Sequence, residues 1–256
     1  MDKNSFRWKM AVKQLKLLGI YDRTERIQGV RRDNWLLRDG VWRQPNLDKD
    51  GKDITGCFLS HQLCIKKAKE EGAKNVFIFE DDFEFLTKAW NGKQFIDSDP
   101  TIHINRALKQ LENISWDILM FSYNIRLHED FINYKDISDN VFQSTMQLIA
   151  AGYAVNSSMY DFMLDNDPSY RICYDQLIAN CMSYRFKVFN IRPMVIGQRE
   201  NVYSDLRGEE RQQKWVEKML QKFPDRSLGS GGQCIQLDNI IMNDDELCRQ
   251  WHLDRK

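Results

Sequence analysis

The sequence predicts an α/β fold with a mainly parallel central sheet, and three observations carry that expectation. Short apolar runs alternate with longer segments of helical periodicity through most of the chain. A chain of 256 residues is long enough to bury one full α/β core. No internal repeat or low-complexity linker divides it. The expected organisation is a main domain over residues 1–208 and a helical, polar C-terminal extension over residues 209–256.

The elements follow in order. Phe6, Met10, Val12, Leu15 and Leu18 recur at helical spacing, so a helix is expected over residues 4–19, with Asn4 or Ser5 as its cap and Gly19 at its end. Residues 25–30 read as a short strand, and residues 31–53, rich in Arg, Asp, Asn and Gly, as a loop. A helix over residues 56–71 stops at Gly72. Val76, Phe77, Ile78 and Phe79 form an apolar run between Lys74-Asn75 and a group of acids, the pattern of a short buried strand. A helix near residues 101–113 and a strand over residues 116–122 come next. Residues 123–144 are polar and irregular and read as a surface loop over a site. Residues 146–155 form an apolar strand in which Gly152 marks a close backbone approach. Helices at 157–165 and 175–184, a strand at 186–191, a charged helix at 209–222 and a turn at 230–232 complete the chain.

Composition narrows the partners. Lys and Arg total 37, as do Asp and Glu, so no net field draws the chain to nucleic acid or to an anionic membrane. No stretch approaches the ~18 consecutive apolar residues of a transmembrane span. The N-terminus lacks the apolar core of a signal peptide. Six cysteines without a Cys-x-x-Cys pair read as reduced thiols, mostly small core residues, in a cytoplasmic protein that is at most peripheral to a membrane.

Glu80, Asp81 and Asp82 directly follow the 76–79 run. Residues just past such a strand point into the crevice where α/β sheets bind ligands. Three neighbouring carboxylates repel one another unless a cation neutralises them, and Mg²⁺ or Mn²⁺ favours oxygen ligands of this kind. The triplet therefore reads as a metal site for a phosphate-bearing substrate; a solvated acidic turn is the plainer alternative.

Six short blocks then occur in order. They are Asp2, Arg7 and Trp8 with Gln14-Leu15 and Gly19-Ile20; Gly56-Cys57-Phe58-Leu59-Ser60-His61; Phe79-Glu80-Asp81-Asp82; Ala151-Gly152-Tyr153-Ala154-Val155; Asp175; and Pro193, Gln198 and Ser204-Asp205. Together they resemble the glycosyltransferases of family 25, which include lipooligosaccharide and collagen-type galactosyltransferases. The resemblance implies a GT-A-like nucleotide-binding sandwich that uses Mn²⁺ or Mg²⁺ and a UDP-sugar donor. It implies an inverting, metal-dependent transfer of a hexose, galactose or glucose, to a hydroxyl of a glycan or protein. The alternative is a non-catalytic descendant that binds nucleotide or glycan. A phosphoester hydrolase would need more His or Asp ligands than these blocks supply.

Under that resemblance Asp82 and Glu80 hold the metal, while Glu80, Asp81, Ser60, His61, Gln198 and Ser204 serve the donor. Asp175 is the expected catalytic base, with helix capping as its competing role. Tyr123 and Tyr153 are candidates to stack on a sugar or uracil, and His103, His128 and His252 are expected at the surface. The family's opening apolar strand does not precede Asp2, so the first strand of the sheet is expected to be missing. An upstream start, a substitute segment and a decayed enzyme all fit that difference.

Overall fold

A computed structural model of the chain describes residues 3–30, 55–125, 134–144, 147–165, 174–179, 185–199 and 214–225. Six α-helices are described: α1 Lys3–Leu17, α2 Thr55–Glu70, α3 Pro100–Gln110, α4 Tyr160–Asp165, α5 Tyr174–Leu177 and α6 Lys214–Lys222. The first two end as their glycines require. Gly19 and Gly72 adopt φ of +66° and +68°. Around Gly72 the closing bonds run from Gly72 N–H to the Lys69 carbonyl and from Ala73 N–H to the Ala68 carbonyl. Helix α3 starts with Pro100 behind Asp99, whose side chain accepts from Thr101 N–H.

Strands β1 Asn75–Phe79, β5 Ile118–Met120, β7 Tyr134–Ser138, β8 Val141–Ser144, β10 Gly152–Asn156 and β11 Val188–Ile191 form one sheet, in the order β1-β10-β5-β11-β8-β7. Three two-stranded ribbons accompany it: β2 Phe83–Phe85 with β12 Ile196–Gln198, β3 Lys88–Trp90 with β4 Phe95–Asp97, and β6 Asn124–Ile125 with β9 Gln147–Leu148.

The mixed α/β composition is as expected, but the sheet is mainly antiparallel rather than mainly parallel. Only β5 and β11 run parallel; the other neighbours are antiparallel. The apolar runs report burial on both faces, which does not encode direction. Ile118, Met120, Tyr153 and Val155 enter one core with Phe58 and Ile65 of α2. Leu119, Phe121 and Ala154 enter a second core with Ala11 and Leu15 of α1. A strand covered on both sides reads as a continuous apolar run in either sheet type.

Three local expectations also change. Residues 25–30 form no strand, because the backbone meets a helix side chain instead of a neighbouring strand: Val30 N–H donates to Ser60 Oγ at 2.9 Å. The presumed loop over residues 123–144 contains β6, β7 and β8. Asp136, Ser138 and Asn140 within it are engaged by a polar network around Arg192 and Gln110, which hides the β7–β8 pair from a hydrophobicity reading. His103, expected at the surface, is buried.

That network ties the sheet to α3 and α6. Arg192 is fully buried, pairs with Asp136 and lies 5.2 Å over the Phe142 ring. Asn140 donates from Nδ2 to the Arg192 carbonyl at 2.9 Å and accepts from Gln110 Nε2 at 3.1 Å. Asp225, just past α6 and fully buried, faces His103 Nδ1 at 3.5 Å and Arg106 Nη1 at 3.6 Å. Val216, Met219, Leu220 and Phe223 pack on Tyr123, Phe142 and Met194 in a third core. Tyr123 is thereby a core residue, enclosed edge-on by Phe142 and Phe223. Among the described residues no helix is long and apolar enough to cross a membrane.

Candidate functional site

Strand β1 delivers its acids into a tight turn. Glu80 N–H donates to the Ala151 carbonyl at 3.0 Å, and Phe83 N–H returns to the Glu80 carbonyl at 3.3 Å. Successive side chains in such a turn diverge, and these do. Glu80 turns inward: its Oε1 lies 3.5 Å from His61 Nε2, and its Oε2 accepts from Gln198 Nε2 at 3.2 Å. Asp81 turns outward, 47% exposed, to Arg7 Nη1 of α1 at 3.1 Å. Asp82 is buried, and its carbonyl accepts from Arg199 N–H at 2.7 Å.

His61 is the hub. It lies buried on α2, with Nδ1 2.7 Å from the Tyr153 hydroxyl and its ring stacked on Tyr174 at 4.5 Å. Tyr153 is wholly buried beneath it, which places this ring in support of His61. Desolvation holds the Tyr153 and Tyr174 hydroxyls well above their ordinary range, so both remain protonated. Gly152, before Tyr153, lets the strand approach β12; a Cβ there would fall 2.5 Å from Ile196 Cδ1.

Asp175 follows Tyr174 on α5, within electrostatic reach of His61 and Glu80. Its Oδ2 accepts from Ile149 N–H at 3.2 Å and its Oδ1 from Gln176 N–H at 2.8 Å. Ile149 adopts φ of +81°, a strained conformation for a β-branched residue, and Asp175 holds its amide. Burial pushes the Asp175 carboxyl up, and the negative charge of Glu80 adds to that; the two amide bonds and His61 oppose it.

Other expected site residues are placed differently. Ser60 Oγ donates to the Gly56 carbonyl at 2.6 Å and accepts from Val30, fastening residues 24–30 to α2. Ser204 lies outside the described residues, as do Asp2, His128 and His252. The three acids do not converge on one point. Among the described residues, the one group of three or more His, Cys, Asp or Glu whose ligand atoms lie within 4.8 Å of one another is Cys57, His61 and Glu80. Mn²⁺ and Mg²⁺ usually take only one or two protein carboxylates and fill the rest with phosphates and water.

Sequence reasoning missed Cys57 and Arg199. Cys57 was readable, since it precedes His61 by four residues on a helix and so shares its face. Arg199 had no signal. It is buried, donates from Nη2 to the Phe83 carbonyl at 3.1 Å, and its Nε and Nη1 find no hydrogen-bond partner among the described residues.

This geometry describes a buried, acid-bearing polar cluster beside the sheet, in which burial and a neighbouring carboxylate shift the titration of Asp175. The chain matches the model for glycosyltransferase family 25 (LPS biosynthesis protein) over residues 48–178, and it belongs to that family. Family membership gives a glycosyltransferase that works with a sugar donor and a glycan acceptor. The match spans Ser60, His61, the acid triplet and Asp175; Gln198 lies beyond it. No curated relative matches the chain.

Proposed function

We propose that the protein transfers a hexose, galactose or glucose, from a UDP-sugar to an acceptor hydroxyl by an inverting, metal-dependent reaction on a GT-A-like domain spanning residues 1–208. The observation that carries this reading is the meeting of Glu80 and Asp175 around His61, since two like-charged carboxylates are brought together in a partly desolvated place.

Each residue then has a task. Asp82 and Glu80 would hold the divalent ion, and the chemistry it would supply there is positive charge for a diphosphate leaving group. Gln198 and His61 fix the Glu80 carboxylate between them. Arg199 offers buried N–H groups in want of an acceptor, and a phosphate oxygen provides one. Asp81, braced by Arg7, borders the donor. Asp175 takes the proton of the acceptor hydroxyl as that oxygen attacks the anomeric carbon. Its raised pKa makes it a stronger base than a solvated aspartate, and the Ile149 and Gln176 amides fix its direction.

Calorimetric titration of UDP with and without Mn²⁺, into the native chain and Asp82→Asn, tests the donor half. Mn²⁺-dependent binding that vanishes in the variant supports the reading; equal binding by both removes Asp82 from the metal. UDP release from UDP-galactose and UDP-glucose tests the transfer half. Donor binding with no turnover on any hydroxyl acceptor would favour the non-catalytic alternative.

A further inference from the structure

We propose that Cys57, His61 and Glu80 form a second, thiophilic metal site that takes a Zn²⁺-class ion, distinct in ligand chemistry from the oxygen site for Mn²⁺. Their ligand atoms lie within 4.8 Å of one another. A thiolate, an imidazole nitrogen and one carboxylate oxygen form a borderline-soft set that suits Zn²⁺ or Co²⁺ far better than Mg²⁺ or Mn²⁺. Three protein ligands leave a fourth position open, as in zinc sites that accept water or a substrate oxygen.

The surroundings are arranged as a metal site needs. Cys57 and His61 stand one turn apart on α2, so the helix presents both to the same point. His61 Nδ1 is engaged by the Tyr153 hydroxyl at 2.7 Å, which leaves Nε2, the nitrogen 3.5 Å from Glu80, to bind the ion. The Tyr153 oxygen then accepts the Nδ1 proton, the outer partner that metal-bound histidines generally have. Stacking on Tyr174 fixes the ring plane. Glu80 offers Oε1 to the ion while Gln198 retains Oε2. On binding, the Cys57 thiol releases its proton to solvent, so affinity rises with pH.

The site shares Glu80 with the proposed donor metal, so a bound Zn²⁺ withdraws that carboxylate from Mn²⁺. The ligand set stands whether or not the chain transfers sugar, and its test is independent of turnover. Co²⁺ is titrated into the reduced protein while thiolate-to-cobalt charge-transfer absorption is followed. The expected result is a band that saturates at one equivalent and is bleached by Zn²⁺. The band disappears in Cys57→Ser and survives in Asp82→Asn, whereas Mn²⁺-dependent UDP binding is lost in Asp82→Asn. Gln198→Leu, which removes only the group steering Glu80, weakens Co²⁺ by about 10-fold or more. Metal-free melting curves of each variant confirm folding. Co²⁺ binding without the band, or a band that persists in folded Cys57→Ser, overturns the proposal.

Discussion

Two buried polar clusters flank the same sheet, and they are built on opposite plans. Around Arg192 opposite charges meet: Arg192 with Asp136, and Asp225 with His103 and Arg106, while Gln110 and Asn140 bridge the gaps. Around His61 like charges meet: Glu80 lies against His61 and the Gln198 amide, and its negative charge bears on Asp175, which is held by the backbone amides of Ile149 and Gln176. Both clusters are desolvated, so burial alone does not distinguish them. The sign of the charges does. A matched network supports a fold, and a mismatched one holds reactive groups away from their preferred state.

The largest expected effect lies in the mismatched cluster. Asp175→Asn lowers transfer about 10²–10⁴-fold, the range for removing a general base, with UDP binding retained. Stability moves the other way. The folded pKa of Asp175 is raised, so its contribution favours the fold below the unfolded value of about 3.9 and is lost as pH rises through the folded value. At neutral pH the relief of a buried charge offsets the loss of one of the two acceptor oxygens that hold Ile149 and Gln176, so the variant melts close to the native chain. A fall in melting temperature together with near-native turnover would make Asp175 a structural brace for Ile149.

In the matched cluster the effect is on stability. Arg192→Met strands Asp136 and costs about 3 kcal/mol by denaturant titration, the low end for breaking a buried pair because Asp136 keeps 27% exposure. Adding Asp136→Leu recovers much of that loss. A single-variant cost that the second substitution does not relieve would place the loss in packing over Phe142 rather than in the charge.

Protonation compares the regions with opposite signs. Burial lowers the His103 pKa, with Arg106 adding to that and Asp225 opposing it. The unfolded chain thus binds the proton first, and His103 contributes stability above its ordinary value of about 6.5 that is lost as pH falls through the folded value. His103→Gln flattens this acid-side slope of the denaturation midpoint, and Asp175→Asn flattens the opposing one. If His103→Gln leaves the slope unchanged, His103 is not the group that sets it.

The sequence made the hub legible and left its wiring hidden. The apolar run at 76–79 and the two helix-ending glycines located β1, α1 and α2, and the ordered blocks singled out His61, Glu80, Asp175 and Gln198. Strand direction was not readable, because Ile118 to Phe121 and Tyr153 to Val155 are covered on both faces and carry no alternation. The β7–β8 pair was hidden for a different reason. Asp136, Ser138 and Asn140 are polar residues whose partners, Arg192 and Gln110, lie far off in the chain, so local hydropathy misread a strand pair as a loop. Long-range pairing also decided the triplet, where adjacent acids face Gln198, Arg7 and a buried turn.

Within that triplet the smallest effect is expected at Arg7, which marks the boundary between the two plans. Arg7 pairs with Asp81 at 3.1 Å, an opposite-charge contact like those of the Arg192 cluster, but Asp81 is 47% exposed and water screens the attraction. Arg7→Ala is expected to cost about 1 kcal/mol or less, a fall in melting temperature of no more than about 4 °C for a chain of this size. UDP affinity should fall less than about 10-fold, since in the proposed site the braced acid borders the donor without holding the metal. Raising salt should shrink both differences, because an exposed pair is screened while the Glu80 and Asp82 carboxylates are largely sheltered. A loss of UDP binding as complete as in Asp82→Asn would move Asp81 into the metal site and make α1 part of the catalytic apparatus.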